Sequence, residues 1–246
     1  MDLDTGKQVA AVVDAIRERW GEGALHPGSQ MNPPLPPLPT GIPPLDEALG
    51  GLSRGGLTEM ISVPSAGATT LALKTIAGVQ RHGQVAYLDL PHTFDADFAA
   101  RCGVALERLL LVRPHNLRQA AAILRDLLGL GGLDLVVFDA YGEPPRALQA
   151  ALGRSGQLLA TLTRSRSALI VLVSQPLRQQ APARSVLAFP HTAARLVVRK
   201  EAWLYRGPDI GGYRALILIT KDRQGPAGKQ LAVTIRLDDA VTIEAP

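Results

Sequence analysis

The sequence predicts an α/β fold, with a mainly parallel sheet flanked by helices and an antiparallel extension near the C-terminus. Three observations predict it. From residue 57 short apolar runs alternate with stretches of helical periodicity. The runs LDLVVFD (133–139) and ALIVLVS (168–174) are apolar almost throughout, as strands buried on both faces are. After residue 190, ARLVVRK, YRALILIT and KQLAVTIRL are separated by Gly/Pro/Asp turns, the pattern of hairpin strands.

Taken in order, residues 5–20 place Val9, Val12, Val13, Ile16 and Trp20 at helical spacing, and Gly21 and Gly23 end that helix. Seven prolines between Pro33 and Pro44 then favour an extended, semi-rigid spacer. A helix held off by such an arm packs on another molecule or folds back on its own domain, and the residues leave both open. LTEMISV (57–63) is a strand, Thr69–Gln80 a helix and QVAYLDL (84–90) a strand. Ala96–Cys102 is a short helix, RLLLV (108–112) a strand and Leu117–Leu128 a helix. Ala147–Ser165 is a helix between the two buried strands. Asp95 and Asp97 suit the start of the helix at 96 as cap and dipole partners.

Composition excludes several classes. With 46% hydrophobic and 20% charged residues in 246, the chain is globular in type, not disordered. No apolar run reaches the roughly 18 residues of a membrane helix. The start, MDLDTGKQ, lacks the basic and apolar regions of a secretory signal, so a cytoplasmic location without a membrane partner is expected. One cysteine, Cys102, rules out an internal disulfide framework or a cysteine-built zinc site and suits a small buried filler. His92 and His115 have no metal-ligand partner at ligand spacing, and no metal is expected.

Charge is uneven. Residues 1–160 hold 13 Lys+Arg against 16 Asp+Glu, whereas residues 161–246 hold 13 against 6. That basic bias suits contact with nucleic acid or an acidic protein, and equally a solvated arginine-rich surface. Aromatics are 4% of the chain, few for a base-stacking platform.

In a parallel α/β sheet, ligands sit at the carboxyl ends of strands, near the first β–α turn. Here that turn holds Ser62, Ser65, Ala66, Gly67, Ala68, Thr69 and Thr70. Against G-x-x-x-x-G-K-[ST] it keeps position, length, second glycine and threonine, with Ser62 at the first glycine and Ala68 at the lysine. Gly67 and the helix start offer N–H donors and Thr69 a hydroxyl. The missing lysine forfeits a charge-assisted contact of roughly 1.5–3 kcal/mol.

The ordered series of motifs resembles the RecA recombinase family over nearly the whole chain. IRERWGEGAL, LPTGIPPLDEALGGLSRGGLTEM, AYLDLPHTFDADFAARCGVALERLLLVRP, LDLVVFDA and ALIVLVSQPLR carry the likeness. It implies a RecA-like P-loop core. Asp139 then corresponds to the Walker B aspartate and Gln175 to the nucleotide-sensing glutamine. The glutamate that activates the attacking water is expected two residues after Asp89, where Pro91 stands. A prolyl ring accepts no proton. Asp139 and Gln175 also fit the plainer role of strand-end residues bonded locally. Arg178 and Arg184 fall where the family has a DNA-contacting loop. Lys221 and Arg223, in TKDRQGPAGK, match paired basic residues that reach a neighbouring protomer's nucleotide.

The resemblance divides the chain into an N-terminal helix (1–24, a docking arm), a Pro-rich linker (25–44) and a RecA-like core (45–246), without the family's small C-terminal domain. Loss of lysine and glutamate together is similar to the ImuA group of SOS mutagenesis accessories. It implies a catalytically inert adaptor whose partners are a RecA filament or protomer, an ImuB-like or other error-prone polymerase component, and, as a further candidate, single-stranded DNA. No cofactor is expected beyond weak binding of ATP with magnesium. The alternative is a divergent DNA-dependent ATPase or recombinase that binds ATP and single-stranded DNA.

Overall fold

The structure, a computed structural model, describes residues 3–25, 35–153, 156–174, 189 and 191–245. It forms two compact units, Met1–Leu35 and Pro36–Pro246. In the first, helix α1 (Leu3–Trp20) is followed by a 3-10 turn, Glu22–Ala24. Val9, Val12 and Trp20 are exposed on α1, and Val13 and Ile16 are only half-buried. Arg17 pairs with Asp14 and Glu22 on the same unit, exposed contacts that stabilise it little.

The second unit starts inside the expected spacer. Leu38 pairs with Leu52 in an antiparallel bridge, and Ile42 and Leu45 are fully buried. Asp46 accepts from the Thr40 N–H at 2.7 Å and from the Thr40 hydroxyl at 2.8 Å. These bonds lead into a helix the sequence reading does not include, α2 (Pro43–Leu49), which ends at Gly50 with φ 74°. Prolines in a first turn have no N–H to lose, so the run that reads as spacer also opens a helix. Residues 36–44 therefore belong to the second unit, with Leu38, Thr40 and Ile42 buried in it.

The core continues as β1 (Leu57–Ser62), α3 (Ala68–Val79), β2 (Val85–Asp89), α4 (Ala96–Arg101), β3 (Leu109–Val112), α5 (Leu117–Leu130) and β4 (Leu135–Asp139). Then come α6 (Pro145–Leu148), α7 (Gly156–Ser165), β5 (Ala168–Ser174), β6 (Ala194–Arg206), β7 (Asp209–Asp222), β8 (Gln230–Leu237) and β9 (Val241–Glu244). The helix expected over 147–165 is broken by a π-helical segment, Gln149–Gly153. Glycines at 153 and 156 weaken a helix interior by about 1 kcal/mol each. Asp95 does cap α4, accepting from the Phe98 N–H at 2.9 Å, and Cys102 is fully buried.

Among the described residues the strands form one sheet in the order β3-β2-β4-β5-β1-β6-β7-β8-β9. Neighbours from β3 to β6 are parallel, and β6 to β9 are antiparallel. One face is covered by apolar side chains of α2, α3 and α4, the other by those of α5, α6 and α7. The central strands are buried on both faces, which is why they read as continuous apolar runs. β6 and β7 run past this core as a longer hairpin than the sequence predicts, turning at Gly207-Pro208 with Gly207 at φ 60°. No helix among the described residues is long and apolar enough to cross a membrane.

Candidate functional site

The carboxyl ends of β1, β2, β4 and β5 lie side by side, with Ser62 level with Ser174 and Asp89 level with Asp139. The loop from β1 to α3 keeps an unusual backbone. Ser65 has φ 61° and Gly67 φ 108°, both in the left-handed region. A Cβ on Gly67 would stand 3.0 Å from Ile235 Cδ1 and 3.2 Å from the Tyr213 hydroxyl, so space as well as conformation requires glycine. No side chain caps the amino end of α3. Ala68, at the lysine position, is buried.

Tyrosines organise the rest. Tyr141, two residues past β4, shares a hydrogen bond with the buried Ser62 hydroxyl, and Thr69 lines the same two cavities as Tyr141. Burial and the neighbouring Asp139 charge push the Tyr141 phenol up to about 12, against the pull of the Ser62 and Thr69 hydroxyls. Tyr213 lies on the far side of the loop, 3.3 Å from the Thr70 hydroxyl. Tyr87 donates to Asp139 Oδ2 at 2.8 Å, and the Tyr141 N–H donates to Oδ1 at 3.1 Å. Burial raises the Asp139 pKa; the two hydrogen bonds pull it down and the Asp89 charge raises it further.

Asp89 fixes the turn that follows β2. It accepts from the Thr93 N–H at 2.9 Å, the Phe94 N–H at 3.1 Å and Arg113 Nε at 3.0 Å. Within that turn His92 has φ 58° and its Nε2 lies 3.0 Å from the Pro114 carbonyl, a local structural contact. Pro91 faces a cavity of about 760 Å³ over the loop, which is also lined by Phe98, Tyr141, Trp203, Tyr213 and Leu237. Among the described residues no charged side chain lines it. Asp139 lines a separate cavity of about 190 Å³, shared with Tyr87, Thr69 and Tyr141.

A model of the RecA N-terminal domain matches residues 7–152. The chain belongs to the RecA family. Protein RecA of Herpetosiphon aurantiacus is 31% identical over 266 residues, covering 97% of this chain and 74% of that protein. Protein RecA of Streptomyces coelicolor is 31% identical over 270 residues, covering 98% and 71%. Protein RecA of Kineococcus radiotolerans is 30% identical over 270 residues, covering 98% and 77%.

Within the RecA fold the structure brings the loop residues and Asp139 together. Gln175, Arg178 and Arg184 lie outside the described residues. Lys221 and Arg223 are not brought to the loop. The Arg223 N–H bonds to the Ala193 carbonyl, and the Ala193 N–H to the Leu57 carbonyl, at the opposite end of β1. A six-residue strand separates the two ends by roughly 17 Å. There Lys221 and Arg223 line another cavity, of about 390 Å³, with His191 and Thr192. Burial and the Arg195 charge lower the Lys221 pKa, although Glu59 opposes them.

The sequence reading passed over the tyrosines. The chain has four, and Tyr87, Tyr141 and Tyr213 all converge on the loop and Asp139. So few phenols, one of them two residues after Asp139, were the available signal. It also passed over the buried pair Glu59 and Arg195, whose Oε2 and Nε are 2.5 Å apart on β1 and β6.

Proposed function

We propose that this RecA-family chain is catalytically inert and acts as an ImuA-type accessory in the SOS response, engaging RecA and an error-prone polymerase component through protein surfaces. The observation that carries the reading is Tyr141. Its hydroxyl bonds to Ser62, and Tyr141 lines with Thr69 both the cavity over the loop and the smaller one at Asp139, so a phenol stands among the groups that would face a metal ion. Ala68 and Pro91 support the same conclusion, since neither a cation for phosphates nor a base for water stands at those places. The residues present thus make a poor fit to a nucleoside triphosphate with magnesium.

The basic end of the sheet supports the choice of partner. His191, Lys221 and Arg223 suit an anionic group presented by a neighbouring protomer, whereas among the described residues no charged side chain lines the cavity over the loop. A chain so built docks on a RecA protomer through one end only. ATP hydrolysis in the presence of single-stranded DNA tests inertness: no turnover is expected, and turnover at a recombinase rate ends the reading. Capture of RecA by the full chain, lost when residues 1–24 are removed, tests the docking role of α1.

A second reading, a divergent DNA-dependent ATPase, is favoured by the retained loop backbone at Ser65 and Gly67 and by Asp139. It requires ATP with magnesium to stabilise the fold by about 2.7 kcal/mol at 100 times its dissociation constant. Contact of Arg178 and Arg184 with single-stranded DNA is tested by the salt dependence of binding, whose slope falls when both are replaced by alanine.

A further inference from the structure

A different cavity, of about 690 Å³, lies beside the carboxyl end of α3. That volume is within the roughly 300–1,000 Å³ usual for small-molecule sites. The twelve residues of α3 separate it from the loop by roughly 18 Å. Arg54, Lys74, Arg81 and Arg108 line it, with His82 and a single acid, Asp134. Arg54 precedes β1, Lys74 lies on α3, Arg81 follows that helix and Arg108 precedes β3, so only the fold gathers them. Asp134 is already held: Arg54 Nη1 lies 2.9 Å from its Oδ1, and the Gln84 N–H donates to its Oδ2 at 3.1 Å. Lys74 is half-buried, and its ammonium donates to the Val241 carbonyl at 3.0 Å, a neutral partner.

Among the described residues Lys74, Arg81 and Arg108 have no carboxylate partner. The segments outside the description supply none, because apart from the two ends of the chain they hold no Asp or Glu. Arg81 complements the partial negative charge at the carboxyl end of α3. Lys74, inside that helix, and Arg108, from another segment, do not share that explanation. Like charges around one partly enclosed space repel each other unless an anion sits among them. We infer that this cavity binds a small, multiply charged oxyanion, with two or more phosphate or carboxylate groups on a compact body. The exposed Arg81 and Arg108 offer it planar forks, and Lys74 offers a point charge from the more buried side. A half-buried ammonium is within reach of a small ion rather than of a polymer backbone lying over the surface. The inference is independent of whether the loop serves a nucleotide.

Calorimetric titration of the full chain with inorganic pyrophosphate, and separately with citrate, both without divalent metal, tests the inference. At least one is expected to bind saturably, and which one binds separates phosphate from carboxylate. Arg81→Ala combined with Arg108→Ala, both at exposed positions, is expected to weaken binding about tenfold or more. Lys74→Met is expected to do the same, and Lys74→Arg to stay within about threefold of the unaltered chain. Arg118→Ala, exposed on α5, is expected to leave the affinity within about twofold and so controls for net charge. Saturable binding of neither ion overturns the inference, as does an unchanged affinity in the folded Arg81→Ala, Arg108→Ala chain. Binding lost with Arg223→Ala and kept with Lys74→Met puts the anion beside His191 and overturns it too. An oligothymidylate that displaces the ion at lower concentration marks a nucleic-acid surface, and that result also overturns it.

Discussion

The Tyr141 hydroxyl reaches from the end of β4 to the hydroxyl of Ser62 at the end of β1, joining two strands that β5 separates. Ser62 is buried, so removing its partner leaves a polar atom without one. Tyr141→Phe is expected to cost about 1–3 kcal/mol. For a chain of this size that lowers the melting temperature by roughly 2–4 °C per kcal/mol, read by thermal circular dichroism. A melting temperature equal to that of the unaltered chain would show that the bond contributes nothing.

Asp139 is buried and its pKa is raised, chiefly by burial. A raised acid binds its proton more tightly folded than unfolded. Its favourable contribution is thus present at low pH and lost as pH rises through the raised value. Asp139→Asn is expected to raise stability by about 1 kcal/mol at neutral pH, with the advantage shrinking toward about pH 4, where the native carboxyl is protonated anyway. Melting curves of both chains across that range check it. A loss of stability at neutral pH would mean that the bonds from Tyr87 and Tyr141 outweigh burial.

Glu59 and Arg195 are buried together between β1 and β6, and Arg195 also donates to the Phe189 carbonyl at 3.1 Å. Burial raises the Glu59 pKa while Arg195 pulls it down. Removing one partner strands a charge. Arg195→Met is expected to cost about 3–5 kcal/mol, whereas the double change Glu59→Gln with Arg195→Met costs much less. Chemical denaturation of the single and double variants separates these outcomes. Equal losses would show that packing, not the stranded carboxylate, sets the cost.

Ala68→Lys places an ammonium at the amino end of α3. It is expected to strengthen binding of ATP with magnesium about tenfold or more over the unaltered chain, the scale of one charge-assisted hydrogen bond, as read by calorimetric titration. Hydrolysis is expected to stay absent because Pro91 supplies no base. An unaltered affinity for ATP would show that the loop does not present phosphate to that position.

Removal of residues 1–24 is expected to leave the unfolding free energy of the core within about 0.5 kcal/mol of the full chain. Removal of residues 1–40 is expected to destabilise it, because Leu38 and Thr40 are core residues tied to Leu52 and Asp46. Denaturant titration of the two shortened chains tells them apart. Equal stability would place the boundary of the core after residue 40.

Sequence alone determined the order of the strands from β1 to β8 and of the helices from α3 to α5, the loop between β1 and α3, and the family. Those features are written in local apolar periodicity, in glycine placement and in an ordered series of motifs, all of which are short-range. That Ala68 and Pro91 stand where the resemblance leads one to expect lysine and glutamate was equally legible, since each is read at one position. Tertiary structure decided what now fills the site. Tyr141 meets Ser62 and Thr69, and Tyr213 meets Gly67, only because strands far apart in the chain become neighbours in the sheet. Structure also placed Lys221 and Arg223 at the end of β1 opposite the loop, a position that depends on the pairing of β1, β6 and β7. It turned half of a proline-rich spacer into core as well, since a proline that opens a helix and one that stiffens a linker look alike until Asp46 is seen bonding back to Thr40.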